Sequence, residues 1–360
     1  MGKYLFILLL ACQSWQVSAQ VSDSVETKRS TIFGLPLIFF TPETSWGFGA
    51  AGFYSWRFAD ERTDSRPSQI QLGGAYTLED QLLLYLPFQL WWADEKYSAF
   101  GELGYYKYNY FFFGVGNEID PDYEELYGVD YPRLRLTFMR RFLPGLYAGL
   151  RITADDFKIT EVQEGGLLAE LSIPGSRGGR NSGLGLILNY DTRDNIFSTH
   201  QGFYGEFTID QHDEIFASDF DYRRLRLDIR QFFKLSKNDI LATQFYSESI
   251  YGEAPFLSQA FIGGNQRMRG FYEGRYRDNH AALVQLEYRR NLPWRFGAVA
   301  FAGMGAVANE YSHFEMNYLR YTYGGGLRFA LNEADRIHIR FDVGMGNGQA
   351  AYYLTINEAF

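Results

Sequence analysis

Cysteine is nearly missing from this 360-residue chain: Cys12 is the only one. A single thiol builds no internal disulfide framework and no Cys-rich zinc site. Histidine is scarce too, and His200, His212, His280, His313 and His338 show neither HExxH nor any metal-ligand pairing. No apolar run reaches the roughly 18 residues a membrane helix needs, and mean hydropathy is only −0.26. A polytopic helical membrane protein is thereby excluded. There is no Lys/Arg tract, and 34 basic against 43 acidic residues leave a net charge of −9, which matches nucleic acid poorly. GxSxG is absent, and Gly324-Gly325-Gly326 has no helix pattern behind it to make a phosphate cradle. What is plentiful is aromatic side chain (32 Phe, 27 Tyr and 6 Trp, 18% of the chain) together with 37 Gly.

The N-terminus reads as an address. Residues 1–19 have Lys3 as a positive start, Tyr4–Ala11 as a short apolar core and Val17-Ser18-Ala19 as a small-residue cleavage site, the three parts of a secretory signal. A rival reading is a lipoprotein signal, with Leu9-Leu10-Ala11 preceding a lipidated Cys12. It ranks second because the cleavage-like site lies downstream and Leu10 is bulky. Residues 20–32 are then a short polar periplasmic segment, too small to fold alone, and 33–360 are the remaining domain.

That domain alternates with a period of two. In Arg336–Val343, Arg336, His338, Arg340 and Asp342 fall on one face and Ile337, Ile339, Phe341 and Val343 on the other; only a strand separates them so. Leu283, Gln285, Glu287 and Arg289 likewise oppose Ala282, Val284, Leu286 and Tyr288. The pattern places strands at 33–40, 45–58, 68–77, 81–93, 97–113, 131–142, 146–157 and 182–190. It continues at 202–211, 219–234, 238–251, 280–291, 296–308, 319–331, 335–346 and 350–360. These are about sixteen strands, many long enough to cross a bilayer at a tilt. Long connections at 114–130, 158–181 and 252–279 alternate with short ones such as Pro144-Gly145. A soluble sandwich has no reason to sort its loops in this way. The expectation is an all-β, transmembrane antiparallel barrel with lipid on its outer face. Arg and Asp line the lumen, and aromatics form interfacial girdles, with Trp91-Trp92 and Tyr352-Tyr353 as candidates.

One connection is unlike an ordinary surface loop. Phe261–Asp278, between the eleventh and twelfth strands, carries four Arg and centres on Arg269-Gly270-Phe271 rather than on small polar residues. An arginine folded inward would form a charge-assisted anchor on luminal carboxylates, with Phe271 packed beside it.

Four features together resemble the barrel of the bacterial surface antigen family, the superfamily of outer-membrane protein assembly and translocation barrels. Arg269-Gly270-Phe271, with Gly263-Gly264 upstream, is similar to the family's sixth-loop motif. Residues 183–204, with Asp191, Arg193, Asp194 and Gly202, resemble its turn between strands eight and nine. Leu286-Glu287-Tyr288-Arg289 looks like its strand-twelve motif. The final stretch, with Tyr352, Leu354, Ile356 and Phe360, looks like its C-terminal assembly signal. The resemblance implies that loop six folds into the lumen and that Arg269 pairs with acids on strands twelve and thirteen. Glu287 matches the first acid, whereas Gly303 stands where the second would be. Asp342, luminal by alternation, is the expected substitute, with Arg289 and Arg340 as further luminal partners. The family's periplasmic POTRA domains have no counterpart in the sequence ahead of the first strand.

By that resemblance the expected function is insertion or translocation of proteins, or transport of lipid, at the bacterial outer membrane. It implies no cofactor, no metal and no catalysis. The expected partners are outer-membrane lipid, periplasmic or outer-membrane accessory proteins, and unfolded barrel substrates. The device would be a seam between the first and last strands, offering an edge to an incoming strand; Pro36 and Pro42 shorten the pairing available there. A passive pore or structural barrel is the alternative, and an outer-membrane hydrolase stands behind both.

Overall fold

The computed structural model describes residues 30–360 apart from 42–44, 63–64, 121 and 171, and not the side chains of 38–41. The expected leader, Cys12, Pro42 and all but the last residues of the 20–32 segment lie outside the described residues.

The strands are β1 (Ser30–Thr41), β2 (Ser45–Trp56), β3 (Ser68–Thr77), β4 (Leu82–Trp92), β5 (Tyr97–Phe112) and β6 (Glu125–Leu143). Next come β7 (Leu146–Val162), β8 (Gly179–Asp191), β9 (Gly202–His212), β10 (Tyr222–Lys234) and β11 (Asp239–Gly252). A small hairpin, β12 (Ala260–Ile262) and β13 (Tyr276–Asp278), precedes β14 (His280–Asn291) and β15 (Phe296–Ala308). The last are β16 (Arg320–Asn332), β17 (Ile337–Gly346) and β18 (Gln349–Ile356). Without the hairpin they form one sixteen-stranded antiparallel sheet in chain order, an outer-membrane type of barrel. Among the described residues its hydrogen-bonded order begins at β1 and ends at β18, with no ladder joining the two.

The period of two becomes the two faces of the wall. Along β8, Leu186 is 58% exposed while its neighbour Ile187 is 3% exposed. Leu184 and Leu188 share the outward face, and Asn181 and Asn189 are buried on the inward one. In water such an outer face would be an aggregation surface; against lipid it carries no such cost. Because adjacent residues point to opposite faces, a doubled aromatic cannot occupy one girdle. Trp92 stacks outward on Tyr97, whereas Trp91 turns inward against Tyr147. The expectation that both tryptophans belong to a girdle is corrected accordingly. Tyr353 likewise points inward, as described below.

All sixteen expected strands are present, and the boundaries differ where the alternation is interrupted. β6 starts at 125 rather than 131, with Glu125, Tyr127, Val129 and Tyr131 all on the inward face; the register shift opposite Gly128/Val129 places its extra residue, Thr160, in β7. β7 extends with it to Val162. At the end of the barrel that carries the long connections the two strands contribute Tyr127, Val129 and Phe157 to an apolar cluster that includes Phe112, Leu168 and Phe256. The last strand stops at Ile356, not 360. Asn357 has φ +66°, and its N–H bonds His338 O at 2.8 Å. Residues 358–360 thus enter the lumen, where Phe360 packs with Phe232 and Ala242.

A charge on the outward face of β8 tests this orientation. Leu186→Arg is expected to destabilise the folded barrel by ~2–4 kcal/mol in denaturant titrations from lipid vesicles. The luminal change Gln71→Arg is expected to cost less than ~1 kcal/mol.

Candidate functional site

The long connection between β11 and β14 does not stay outside. Past β12 it descends between the walls and returns through β13. Gly263 and Gly264 donate their N–H groups to Arg267 O (3.1 Å) and Phe271 O (3.0 Å), and Phe271 N bonds Met268 O at 3.3 Å, so the tip is a tight, self-bonded loop. Its backbone lies flat on β17. A Cβ on Gly270, where φ is +121°, would sit 2.6 Å from the Met345 carbonyl carbon. A Cβ on Gly344 would sit 2.6 Å from that of Arg269. Glycine on both sides is what permits the approach.

Polar side chains fix the tip in place. The Thr322 hydroxyl donates to Arg269 O. Gly270 N donates to Tyr353 Oη at 3.0 Å, and that hydroxyl donates on to Phe271 O at 3.3 Å. Met268 N bonds Gln285 Oε1 at 2.8 Å, and Gln285 in turn reaches Gln244 Oε1 at 2.8 Å.

The Arg269 guanidinium is fully buried. Nη2 donates to Glu287 Oε2 and Nη1 to Asp342 Oδ2, both at 2.5 Å, and the plane lies 3.6 Å over the Phe301 ring. The site of the missing second acid is filled: a Cβ at Gly303 would lie 3.2 Å from Met268 Sδ. The carboxylate comes instead from β17, two strands further round the wall. The pairs extend into a network. Arg289 bonds Glu287 Oε1 (2.7 Å) and Phe360 O (2.8 Å). Arg328 bonds Asp342 Oδ1 (2.6 Å) and Glu358 Oε2 (2.7 Å). Arg340 bonds Thr355 Oγ1 (2.7 Å) and Asn265 O (3.1 Å), with Asp342 Oδ2 at 3.6 Å. Pairing of this density is needed because a buried ion loses several kcal/mol of hydration. Removing one carboxylate would leave its guanidiniums uncompensated.

Arg328 and Glu358 do not emerge from the sequence reading. Glycines at 324–326 erase the alternation that would place Arg328 inward, and Glu358 lies beyond the last strand on a segment expected to continue it. Tyr352, Leu354 and Ile356 remain on β18, with Leu354 exposed.

The second motif forms the turn between β8 and β9 at the periplasmic end. Asp191 receives a two-pronged contact from Arg193 (2.9 Å twice) and one from Arg66 at 2.8 Å. Asp194 accepts His200 N (2.9 Å) and Arg336 Nη1 (2.8 Å). Gly202 has φ +122°, and a Cβ there would meet Thr192 O at 2.4 Å. Burial, aided by the Arg336 charge, lowers His200 to about 4. Burial opposes ionisation of Asp194, yet the Arg336 and backbone hydrogen bonds outweigh it and hold that carboxyl below its usual range.

Two outcomes follow from this geometry. Asp342→Ala is expected to cost about 3–5 kcal/mol in equilibrium unfolding, with faster hydrogen exchange across 263–271. A Glu287→Ala, Asp342→Ala double variant with an intact fold and unchanged exchange in that loop would refute the anchoring role. The turn is expected to weaken in acid. His200 binds its proton in the unfolded chain near pH 6.5 and in the fold only near 4, so stability falls as pH drops through that window. Denaturant titrations at pH 7 and 4.5 should show that loss, and His200→Gln should reduce it.

Comparison with known proteins agrees with this anatomy. The Omp85 superfamily domain matches residues 68–354. Among solved structures, BamA from Haemophilus ducreyi lacking POTRA domains 1–3 superposes with a TM-score of 0.58 at 13% identity, over 91% of this chain and 68% of that one. CdiB from Escherichia coli gives 0.57 at 12% identity, over 91% and 61%. CdiB from Acinetobacter baumannii gives 0.56 at 13% identity, over 92% and 60%. The chain thus spans about two thirds of the first structure and three fifths of the others, and at such identities they speak for the fold alone. No curated protein matches it in sequence. With a family match across most of the barrel, the chain belongs to the Omp85 superfamily of bacterial outer-membrane β-barrels.

Proposed function

We propose that this barrel works in outer-membrane biogenesis, inserting or translocating protein, or passing lipid, through a lateral seam between β1 and β18. The observation that carries the reading is an asymmetry in the wall. Among the described residues fifteen ladders join consecutive barrel strands, while β1 and β18 end the hydrogen-bonded order. β18 is also short, pairing with β17 over Gln349–Ile356, and Pro36 removes a donor from β1. An edge that retains free N–H and C=O groups is a template for an incoming strand. The RGF loop supports the same reading, because it braces β14 to β18 from inside and so holds one side of the seam in shape. Accessory proteins, unfolded barrel chains and outer-membrane lipid are the partners this role requires, and its chemistry is noncovalent, without catalysis.

The pore alternative meets a specific obstacle. The extracellular mouth holds the Phe112, Tyr127 and Phe256 cluster, with Arg277 donating to Phe256 O at 3.0 Å. Conduction would need that cap and the RGF loop displaced together.

Depletion of the protein followed by quantitative outer-membrane proteomics and lipid analysis tests the reading. The expected outcome is loss of a subset of outer-membrane proteins or a changed lipid composition, with co-purification of an accessory partner. An unchanged membrane would remove its support.

A further inference from the structure

The hydrogen bonds and ion pairs that loop six makes from Met268 to Phe271 fall on β14 to β18, on the C-terminal side of the seam. A different element touches both sides. The β8–β9 turn starts on the opposite wall and crosses the periplasmic mouth. At its far end Phe197, 3% exposed, sits in one apolar cluster with Phe53 of β2 and Ile337 of β17. Phe33 of β1, Ile196, Leu331 of β16 and Ile356 of β18 pack around it. Phe197 meets Phe53 edge-on at 6.4 Å, and Phe53 stacks on Phe33 at 4.9 Å.

Polar contacts tie the same turn to each side. On the C-terminal side, Asn195 Nδ2 donates to Asp335 O at 3.1 Å and Arg336 pairs with Asp194 at 2.8 Å. On the N-terminal side, Arg66, which follows β2, pairs with Asp191 at the root of the turn at 2.8 Å. Two side-chain contacts also bridge the seam directly at this end. Asn332 Nδ2 donates to Thr31 Oγ1 at 3.1 Å, and Arg57 reaches Asp335 at 3.4 Å.

We propose that residues 192–201 are a latch across the seam, with Ile196 and Phe197 as its wedge. The inference rests on the lateral-seam reading of the function. While the wedge is seated, the two edges share one apolar core, and parting them exposes Phe33, Phe53, Ile337 and Ile356 to water. Withdrawing the turn, which pivots between Asp191 and the left-handed Gly202, removes that shared core and leaves, among the polar contacts of the described residues, Thr31–Asn332 and Arg57–Asp335. Side-chain bonds of this kind break far more readily than a strand ladder. The β8–β9 motif is thus a positioning element for the seam, set on the wall opposite to it.

Nitroxide labels at Ile32→Cys and Leu354→Cys, on β1 and β18, report the seam width in the full chain with Cys12→Ser, folded in lipid vesicles. Double electron–electron resonance should give a single short distance in the parent. Phe197→Ala should add a population longer by about one strand spacing, roughly 5 Å, or more. Phe197→Leu should largely restore the parent distribution, and Arg336→Gln, a milder change at the rim, should shift it partway. Heat-modifiable gel mobility confirms that each variant is folded. An unchanged distribution in folded Phe197→Ala or, where that variant fails to fold, in folded Arg336→Gln would overturn the latch. The distance needs no assembly activity. A seam that widens in Phe197→Ala, in a protein whose depletion leaves the outer membrane unaltered, would sink the biogenesis reading and leave the latch standing.

Discussion

The Arg269 guanidinium cannot be moved alone. It enters from a loop, not from the wall, and is held by carboxylates from β14 and β17, three strands apart in the sheet. Each carboxylate also receives a wall arginine, Arg289 on Glu287 and Arg328 on Asp342. Glu358 joins Arg328 from the inward-turned tail. Wall, loop and tail therefore share one electrostatic unit, in which the full hydration cost of each ion is offset only when all are present. The glycines at 270 and 344 exist in service of that unit, because without them the loop backbone could not come close enough to deliver the guanidinium.

This division explains why one half of the wall is stiffened more than the other. The hydrogen bonds and ion pairs of the RGF loop tip and the arginine network bear on β14 to β18, and the tail adds contacts with Phe232 of β10 and Ala242 of β11, while β1 to β3 are lined by Gly73, Ala75, Ser55 and Thr77, with no luminal ion pair of comparable depth among the described residues. Where β1 comes near the C-terminal strands, the described contacts are between side chains, with Phe197 of the β8–β9 turn packed among them. Such contacts are specific in position yet weak one by one, as the proposed opening would require.

Much of this was legible in the residues. The alternation located every barrel strand, since a period of two imposed by lipid on one side and water or ion pairs on the other leaves little freedom. Asp342 was legible for the same reason: parity alone puts it inside with Arg340. What escaped notice lies where parity is broken or carries no signal. An extra residue at Thr160 broke the parity near the end of β7, glycines concealed Arg328, and a positive φ at Asn357 turned Glu358 and Phe360 inward. The Trp91-Trp92 pair invited a girdle assignment that the alternation itself forbids. The wedge at Ile196-Phe197 had no local signal at all, because its partners come from strands far away in sequence.

The interior also bears on the route a substrate would take. A path along the barrel axis must displace the aromatic cap, draw Arg269 from two carboxylates and lift the periplasmic turn. The second step alone costs about 3–5 kcal/mol for each carboxylate–arginine contact left uncompensated. The lateral path proposed above would need only the third step, and it would leave the arginine network intact to hold the C-terminal edge in register while the opposite edge departs. The same ion pairs that close the lumen therefore lower the relative cost of opening the side. On that proposal, the filled centre and the lack of a ladder between β1 and β18 among the described residues are two parts of one arrangement.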